Sequence, residues 1–272
     1  MMGGDHSLAK RMTVAIWGIP LLVVCTLVGG LLFLALILTA HWLIVREFCR
    51  LAQKKGFPAN PAIPTAFGSL LIIALYFEFW WAIPFLAALL LLTEVVRKDN
   101  QPFHRLGLYA LSWLYISLFL SCMVLIRQHG GPRHLDGAVW ILLMLTTTWI
   151  CDTAAYWGGS KWGKSRLHSK ASPNKTVAGF VFGAVAGLIW AAAWTQLPGI
   201  RYTVIDGIAL GIIVGFVGQA GDLVESMYKR AADVKDSSDF LKGHGGVLDR
   251  FDSLLFASPV LLAYIILSGA WV

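Results

Sequence analysis

The chain has 272 residues, of which 57% are hydrophobic and 14% charged, with a formal net charge of +7 and a mean hydropathy of +0.69. Soluble domains carry about 25% charged residues, so the composition excludes a large water-soluble core and points to an all-α, polytopic integral membrane protein. No basic domain or nucleic-acid fingerprint accompanies the positive charge, so nucleic acid is not an indicated partner.

Roughly 20 apolar residues suffice to cross the hydrocarbon. The sequence predicts about nine transmembrane helices, near 12–28, 31–48, 63–77, 79–96, 106–126, 136–157, 176–195, 203–224 and 252–271. Residues 13–45 form one apolar stretch too long for a single ordinary span, and Gly29-Gly30 offers a reversal inside it. Lys10-Arg11 ahead of that stretch resembles the start of a signal peptide. No small-residue cleavage pattern follows and a second apolar run comes directly after, so none is expected.

With nine spans, 19 of the 22 Lys and Arg residues fall on the side of the amino terminus, leaving Arg127, Arg133 and Arg201 opposite. Positive charge marks the cytoplasmic side, which predicts a multi-pass cytoplasmic (inner) membrane protein with its two richest loops, and any site they build, at the cytoplasmic face. The four cysteines, Cys25, Cys49, Cys122 and Cys151, lack metal-ligand spacing and read as small buried hydrophobes.

The chain divides by character. Residues 1–135 are apolar spans with short basic loops, expected to supply scaffold, homodimer contacts or a lipid groove. Glu47, Glu78 and Glu94 lie near span ends, where solvation at the interface is the ordinary explanation. Residues 136–272 crowd polar groups and glycines at the membrane edge, so the catalytic region with its cytoplasmic loops is placed there.

Three constellations stand out in that region. In Cys151–Gly179, Asp152 lies toward a span end one turn before Tyr156. Gly158, Gly159 and Gly163, then Lys161, Lys164, Lys170 and Lys175, follow it, and Ser172-Pro173-Asn174 opens the next span. Glycines let backbone N–H groups approach an anion and lysines add point charges, which suits a polyphosphate. The glycine–lysine spacing is not that of a P-loop. In the second constellation, Asp222, Glu225, Ser226, Lys229, Asp233 and Asp236 recur at three- and four-residue steps on one helical face, with Arg230 on its flank. A solvated amphipathic helix explains the later residues; it explains Asp222 badly, since that residue ends an apolar segment. In the third, the turn Gly243-His244-Gly245-Gly246 leads into Asp249, Arg250, Asp252 and Ser253. Carboxylates at the interface suit Mg²⁺, a hard ion that bridges substrate phosphates. Acidic groups for a divalent ion and basic groups for phosphates meet where membrane meets cytoplasm, which describes phosphoryl or nucleotidyl transfer to a lipid headgroup.

At this point the residues resemble a known family. Ser226, Lys229-Arg230, Lys235-Asp236, His244-Gly245-Gly246, Asp249-Arg250 and Asp252 are similar in order and spacing to the signature of the phosphatidate cytidylyltransferases (CDP-diacylglycerol synthases). Gly221-Asp222-Leu223, Glu225-Ser226, Asp152-Thr153, Ala155-Tyr156, Gly163-Lys164, Ser172-Pro173 and Lys175-Thr176 extend the likeness over about residues 150–255. The chain departs from the pattern at Lys242, Tyr228 and Ala178, none of them a candidate metal ligand.

The resemblance implies transfer of CMP from CTP to phosphatidic acid, giving CDP-diacylglycerol and pyrophosphate. It implies Mg²⁺ held by Asp222 and Asp249, with Asp252 and Asp152 as weaker ligands. Lys229, Arg230, Lys235 and Arg250 would take phosphates, and His244, Gly245 and Gly246 would shape the nucleotide turn. Lys164, Ser172, Lys175 and Ser226 join them as substrate-binding residues. Two rivals are to be weighed. One is a related membrane enzyme, a CTP-dependent polyprenol kinase or a cytidylyltransferase of ether-linked lipid. The other is a cation-coupled transporter, which would show repeats and midplane charges, and neither is seen.

Overall fold

The computed structural model describes residues 5–57, 59–93, 95, 102–129, 136–168, 171–241 and 245–269, and of residues 5–15 and 168 the backbone alone. Its elements are α1 (Asp5–Val28), α2 (Gly30–Lys54), α3 (Ala62–Tyr76), α4 (Ala82–Leu92), α5 (Pro102–Ser112), α6 (Phe119–Gln128) and α7 (Asp136–Trp162). A hairpin of β1 (Arg166–His168) and β2 (Ser172–Thr176) follows, then α8 (Val177–Trp194), α9 (Val204–Ile212), α10 (Gln219–Ala231) and α11 (Leu248–Leu267). A π-helical turn at Trp113–Leu118 joins α5 to α6, and another at Ile213–Gly218 joins α9 to α10. The fold is all-α, as expected, with one small hairpin among the described residues.

Among the described residues, each predicted apolar segment contains one helical stretch, although α4 is shorter than its predicted segment and α11 ends at Leu267, before its own does. Among the described residues, six stretches are long and apolar enough to cross a membrane: α2, α5–α6, α7, α8, α9–α10 and α11. The described apolar part of α1, and α3 and α4, are shorter. At 1.5 Å per residue, α3 and α4 reach only about 22 and 17 Å against a hydrocarbon of about 30 Å. They are joined through Glu78, which sits in the left-handed region at φ +63°.

The chain folds as two compact units, residues 1–128 with 231–250, and residues 129–230 with 251–272. In the first, Ile37 and Ile44 of α2, Leu71 and Ile72 of α3, and Ile116 and Leu120 of the α5–α6 stretch are fully buried. Gly29 (φ +69°) and Gly30 (φ +55°) make the expected reversal between α1 and α2. Arg127, at the end of α6, donates from Nη2 to Leu27 O at 3.0 Å and from Nε to Thr26 O. A buried guanidinium thereby satisfies the last carbonyls of α1, whose dipole favours a cation there. A Cβ on Gly29 would collide with that group.

The second unit is held by close backbone approach. Gly179, Gly183 and Gly187 recur every fourth residue of α8, which packs against both α7 and α9. A Cβ on Gly183 would stand 2.9 Å from Cys151 O, and one on Gly211 2.6 Å from Leu188 Cα. Small residues that let backbones touch are the usual adhesive between helices in lipid, where the hydrophobic effect gives no help.

The segment Ser172–Thr176 does not open a span directly. It forms β2, paired antiparallel with β1 in the register Arg166↔Thr176 and His168↔Ser172. Helix α8 begins only after it, with Thr176 as N-cap accepting from Gly179 N at 3.1 Å. Helix α10 also ends earlier than the charge pattern predicts. Asp233 takes a left-handed conformation (φ +55°), so Asp233 and Asp236 leave the face carrying Asp222 and Glu225.

Candidate active site

The site in the second unit is built at the ends of apolar helices. The π turn at Ile213–Gly218 inserts an extra residue into the helical winding just before Gln219, which re-aims the side chains that follow. Gln219 Nε2 bonds back to Gly215 O at 2.5 Å and across to Phe180 O of α8 at 3.1 Å, fixing the start of α10. Asp222 lies one turn on. A Cβ on Gly221 would stand 2.7 Å from Asp252 O, so α10 and α11 touch backbone to backbone here. That contact draws Asp252 to Asp222.

Asp222, Glu225 and Asp252 each offer a carboxylate oxygen, and these three atoms lie within 4.8 Å of one another. At an effective dielectric of about 20, like charges at that distance repel by at least about 3.5 kcal/mol per pair. Two lysines answer part of it: Lys175 of β2 forms an ion pair with Asp222, and Lys229 forms one with the fully buried Glu225. Ser226 Oγ donates to Asp222 Oδ1 at 3.5 Å, and Ser253 N to Asp252 Oδ1 at 2.6 Å. Three hard oxygen donors on two helices could hold a metal ion.

A cleft of about 620 Å³ opens beside this cluster, lined by Asp152 and Tyr156 of α7, Ser172, Asn174 and Lys175 of β2, and Asp222 of α10. The β-hairpin is what carries Lys175 to Asp222. Tyr156 presents its ring to the cleft with 74% of its surface exposed.

Other expected site residues belong to the first unit. Asp249, in the first turn of α11, accepts through Oδ2 from Gly246 N at 2.6 Å, Ser237 Oγ at 2.8 Å and Ser237 N at 3.0 Å. Gly245 adopts φ +77°, and a Cβ there would stand 2.7 Å from the same oxygen. Asp249 and the glycines thus form one tight turn. Lys235 and Arg250 are exposed on the flanks of this segment, as Lys164 and Arg230 are in the second unit. His244, Lys242 and Lys170 lie outside the described residues, as does Glu94.

Two acids were missed as site residues. Glu225 shares the helical face of Asp222, and its i,i+3 spacing was the available signal. Glu47 is not solvated at an interface: it is 3% exposed and accepts hydrogen bonds from residues of the 237–248 segment. Its partners lie about 190 residues away in sequence, so no local pattern announces them.

The model of the cytidylyltransferase family matches residues 9–268, nearly the whole chain. The chain belongs to the cytidylyltransferase family. It is 39% identical over 178 residues to a phosphatidate cytidylyltransferase of Bacillus subtilis, a stretch that spans 64% of either chain. It is 31% identical over 240 residues to the phosphatidate cytidylyltransferase of Staphylococcus saprophyticus, covering 86% of this chain and 89% of that one. The Staphylococcus aureus protein of the same name is 42% identical over 126 residues, spanning 48% of its length. For a cytidylyltransferase, the arrangement supplies the two chemistries that a nucleoside triphosphate asks for: cationic side chains, and carboxylates that could carry a metal ion beside them.

Proposed function

We propose that the protein is a phosphatidate cytidylyltransferase, taking CTP and phosphatidic acid to CDP-diacylglycerol and pyrophosphate. The observation that carries this reading is the Lys175–Asp222 pair set beside the Asp222, Glu225 and Asp252 carboxylates, at the ends of apolar helices and open to a cleft. A lipid phosphate can reach such a place from the bilayer while a water-soluble nucleotide enters from outside it.

In the reaction, a phosphate oxygen of the lipid attacks the α-phosphorus of CTP, and the bond to the α–β bridging oxygen breaks with pyrophosphate leaving. The nucleophile needs little help from a base, because a phosphomonoester with a second pKa of about 6 is largely ionised at neutral pH. It needs positioning and relief from charge repulsion. Lys175 and Lys229 lie against the carboxylates, able to exchange a carboxylate partner for a phosphate oxygen; Arg230 and Lys164 add cations to the same unit, and Lys235 and Arg250 are phosphate-binding candidates of the first unit. Ser172 and Ser226 offer hydroxyl donors. Asp222, Glu225 and Asp252 would hold Mg²⁺, with Asp152 at the rim of the cleft, and their hard oxygens fit that ion. With an ion held by these carboxylates, the site would gain positive charge to offset that of the phosphates in the reaction. Asp249 with Gly245 and Gly246 shapes the nucleotide turn together with His244. The cytoplasmic membrane, with the site on its cytoplasmic face, is the location that the distribution of basic residues favours. Residues 1–135 would supply scaffold and homodimer contacts.

The test is direct. Purified protein in detergent is given CTP and Mg²⁺ with phosphatidic acid, an ether-linked analogue or a polyprenol, and the lipid product is identified. CDP-diacylglycerol formed from phosphatidic acid, and lost in EDTA, is the expected result. Polyprenyl phosphate as the product would replace this reading with the kinase.

A further inference from the structure

The carboxylate of Glu47 sits in the last turns of α2, buried, with four donors around it. Oε1 accepts from Val247 N at 3.0 Å and Ser238 Oγ at 2.6 Å; Oε2 accepts from Leu248 N at 2.8 Å and Ser237 Oγ at 3.0 Å. Each oxygen therefore takes one backbone N–H and one hydroxyl. The two N–H groups are orphan donors at the start of α11, which a helix must satisfy from outside itself. Ser237 Oγ also reaches Asp249 Oδ2, so a single hydroxyl bridges the Glu47 and Asp249 carboxylates. A Cβ on Gly246 would strike both Ser237 Oγ and Glu47 Oε2. Glycine at 246 is thus required by the acid in α2 as much as by the turn itself. Surface electrostatics do not explain this contact, for which Lys55–Asp233 nearby is the exposed counterpart.

We propose that Glu47 is a positioning residue: it clamps Ser237, Ser238, Val247 and Leu248 to α2, fixes where α11 begins, and so sets the orientation of Asp249 and of Gly245-Gly246 before it. This role rests on the reading of that turn as part of the cytidylyltransferase site. Glutamine is the informative substitution, because it keeps the size of Glu47 but turns one acceptor oxygen into a donor. That donor must face a backbone N–H, so one half of the clamp is lost.

The experiment compares wild type, Glu47→Gln and Ser238→Ala, each as the full chain in detergent, by steady-state kinetics and by amide hydrogen exchange. The expected Glu47→Gln result is a kcat lower by about ten- to a hundredfold with KM for CTP changed less than about threefold. Exchange should quicken by at least about tenfold in peptides covering 237–249, and stay at wild-type rates in α2 through α6. Ser238→Ala keeps both N–H bonds and should change either quantity by less than about threefold. Normal kcat in Glu47→Gln despite faster local exchange overturns the proposal, as does a loss of kcat accompanied by faster exchange throughout the first unit. If wild type forms no CDP-diacylglycerol, the functional reading fails separately. Exchange in 237–249 then still decides the clamp, and wild-type rates there in Glu47→Gln would refute it.

Discussion

Replacing Asp252 with asparagine should make the protein more stable without metal and less responsive to it. Asp252 has carboxylate neighbours in Asp222 and Glu225, all within 4.8 Å. At an effective dielectric of about 20, each pair repels by about 3.5 kcal/mol when both carboxylates are ionised, so neutralising an ionised Asp252 removes at most about 7 kcal/mol of gross repulsion. Lys175, paired with the neighbouring Asp222, returns part of that as lost attraction, and the burial of the site lowers it further. A net gain of about 1–2 kcal/mol corresponds to a Tm about 2–8 °C higher for a chain of this size. If the cluster holds Mg²⁺, saturation at a hundred times Kd should stabilise the wild type by about 2.7 kcal/mol, and the variant should show little of this. The assay is a thermal melt of both proteins in detergent, in EDTA and across a Mg²⁺ titration. If Asp252→Asn melts below wild type in EDTA and keeps the full Mg²⁺ response, the three acids do not form a repulsive, ion-holding cluster.

Lys175→Met leaves Asp222 without its ion-pair partner and the cleft without its central cation; kcat/KM for CTP should fall by about ten- to a hundredfold, measured against product formation. Gly183→Val puts side-chain atoms where a Cβ alone would be 2.9 Å from Cys151 O, and should cost about 1–3 kcal/mol, read as a lower Tm and a poorer yield of folded protein. Single cysteines placed at 161–166 should resist an impermeant reagent added outside intact cells and react once the membrane is opened. Labelling from outside would reverse the assigned orientation.

Much of the fold is legible in the sequence because hydrocarbon imposes one rule everywhere: backbone polar groups must be satisfied within the segment, so apolar runs become helices. Gly29-Gly30 as a reversal and Asp222 as an acid out of place in an apolar end both follow from local chemistry. What escaped depends on partners distant in sequence or on local departures from ideal winding. The strands 166–168 and 172–176 lack the alternation of a strand and are fixed by their pairing with each other. The end of α10 turns on one left-handed aspartate, although the charge period runs on past it. Glu47 looks like any acid near a span end until Ser237, Ser238, Val247 and Leu248, far along the chain, donate to it. Glu225 stood on the predicted face yet was not set among the ligands, because periodicity shows which residues share a face and not which of them a second helix meets.

The central claim, that this site passes a cytidylyl group to a lipid, is tested most directly by following the phosphorus. Purified protein is incubated with phosphatidic acid and CTP labelled in either its α- or its γ-phosphate, and the extracted lipid is counted. Label entering the lipid from the α-phosphate alone, with the γ-label recovered as pyrophosphate, is the predicted result. Transfer of the γ-label to lipid would show a kinase and contradict the account.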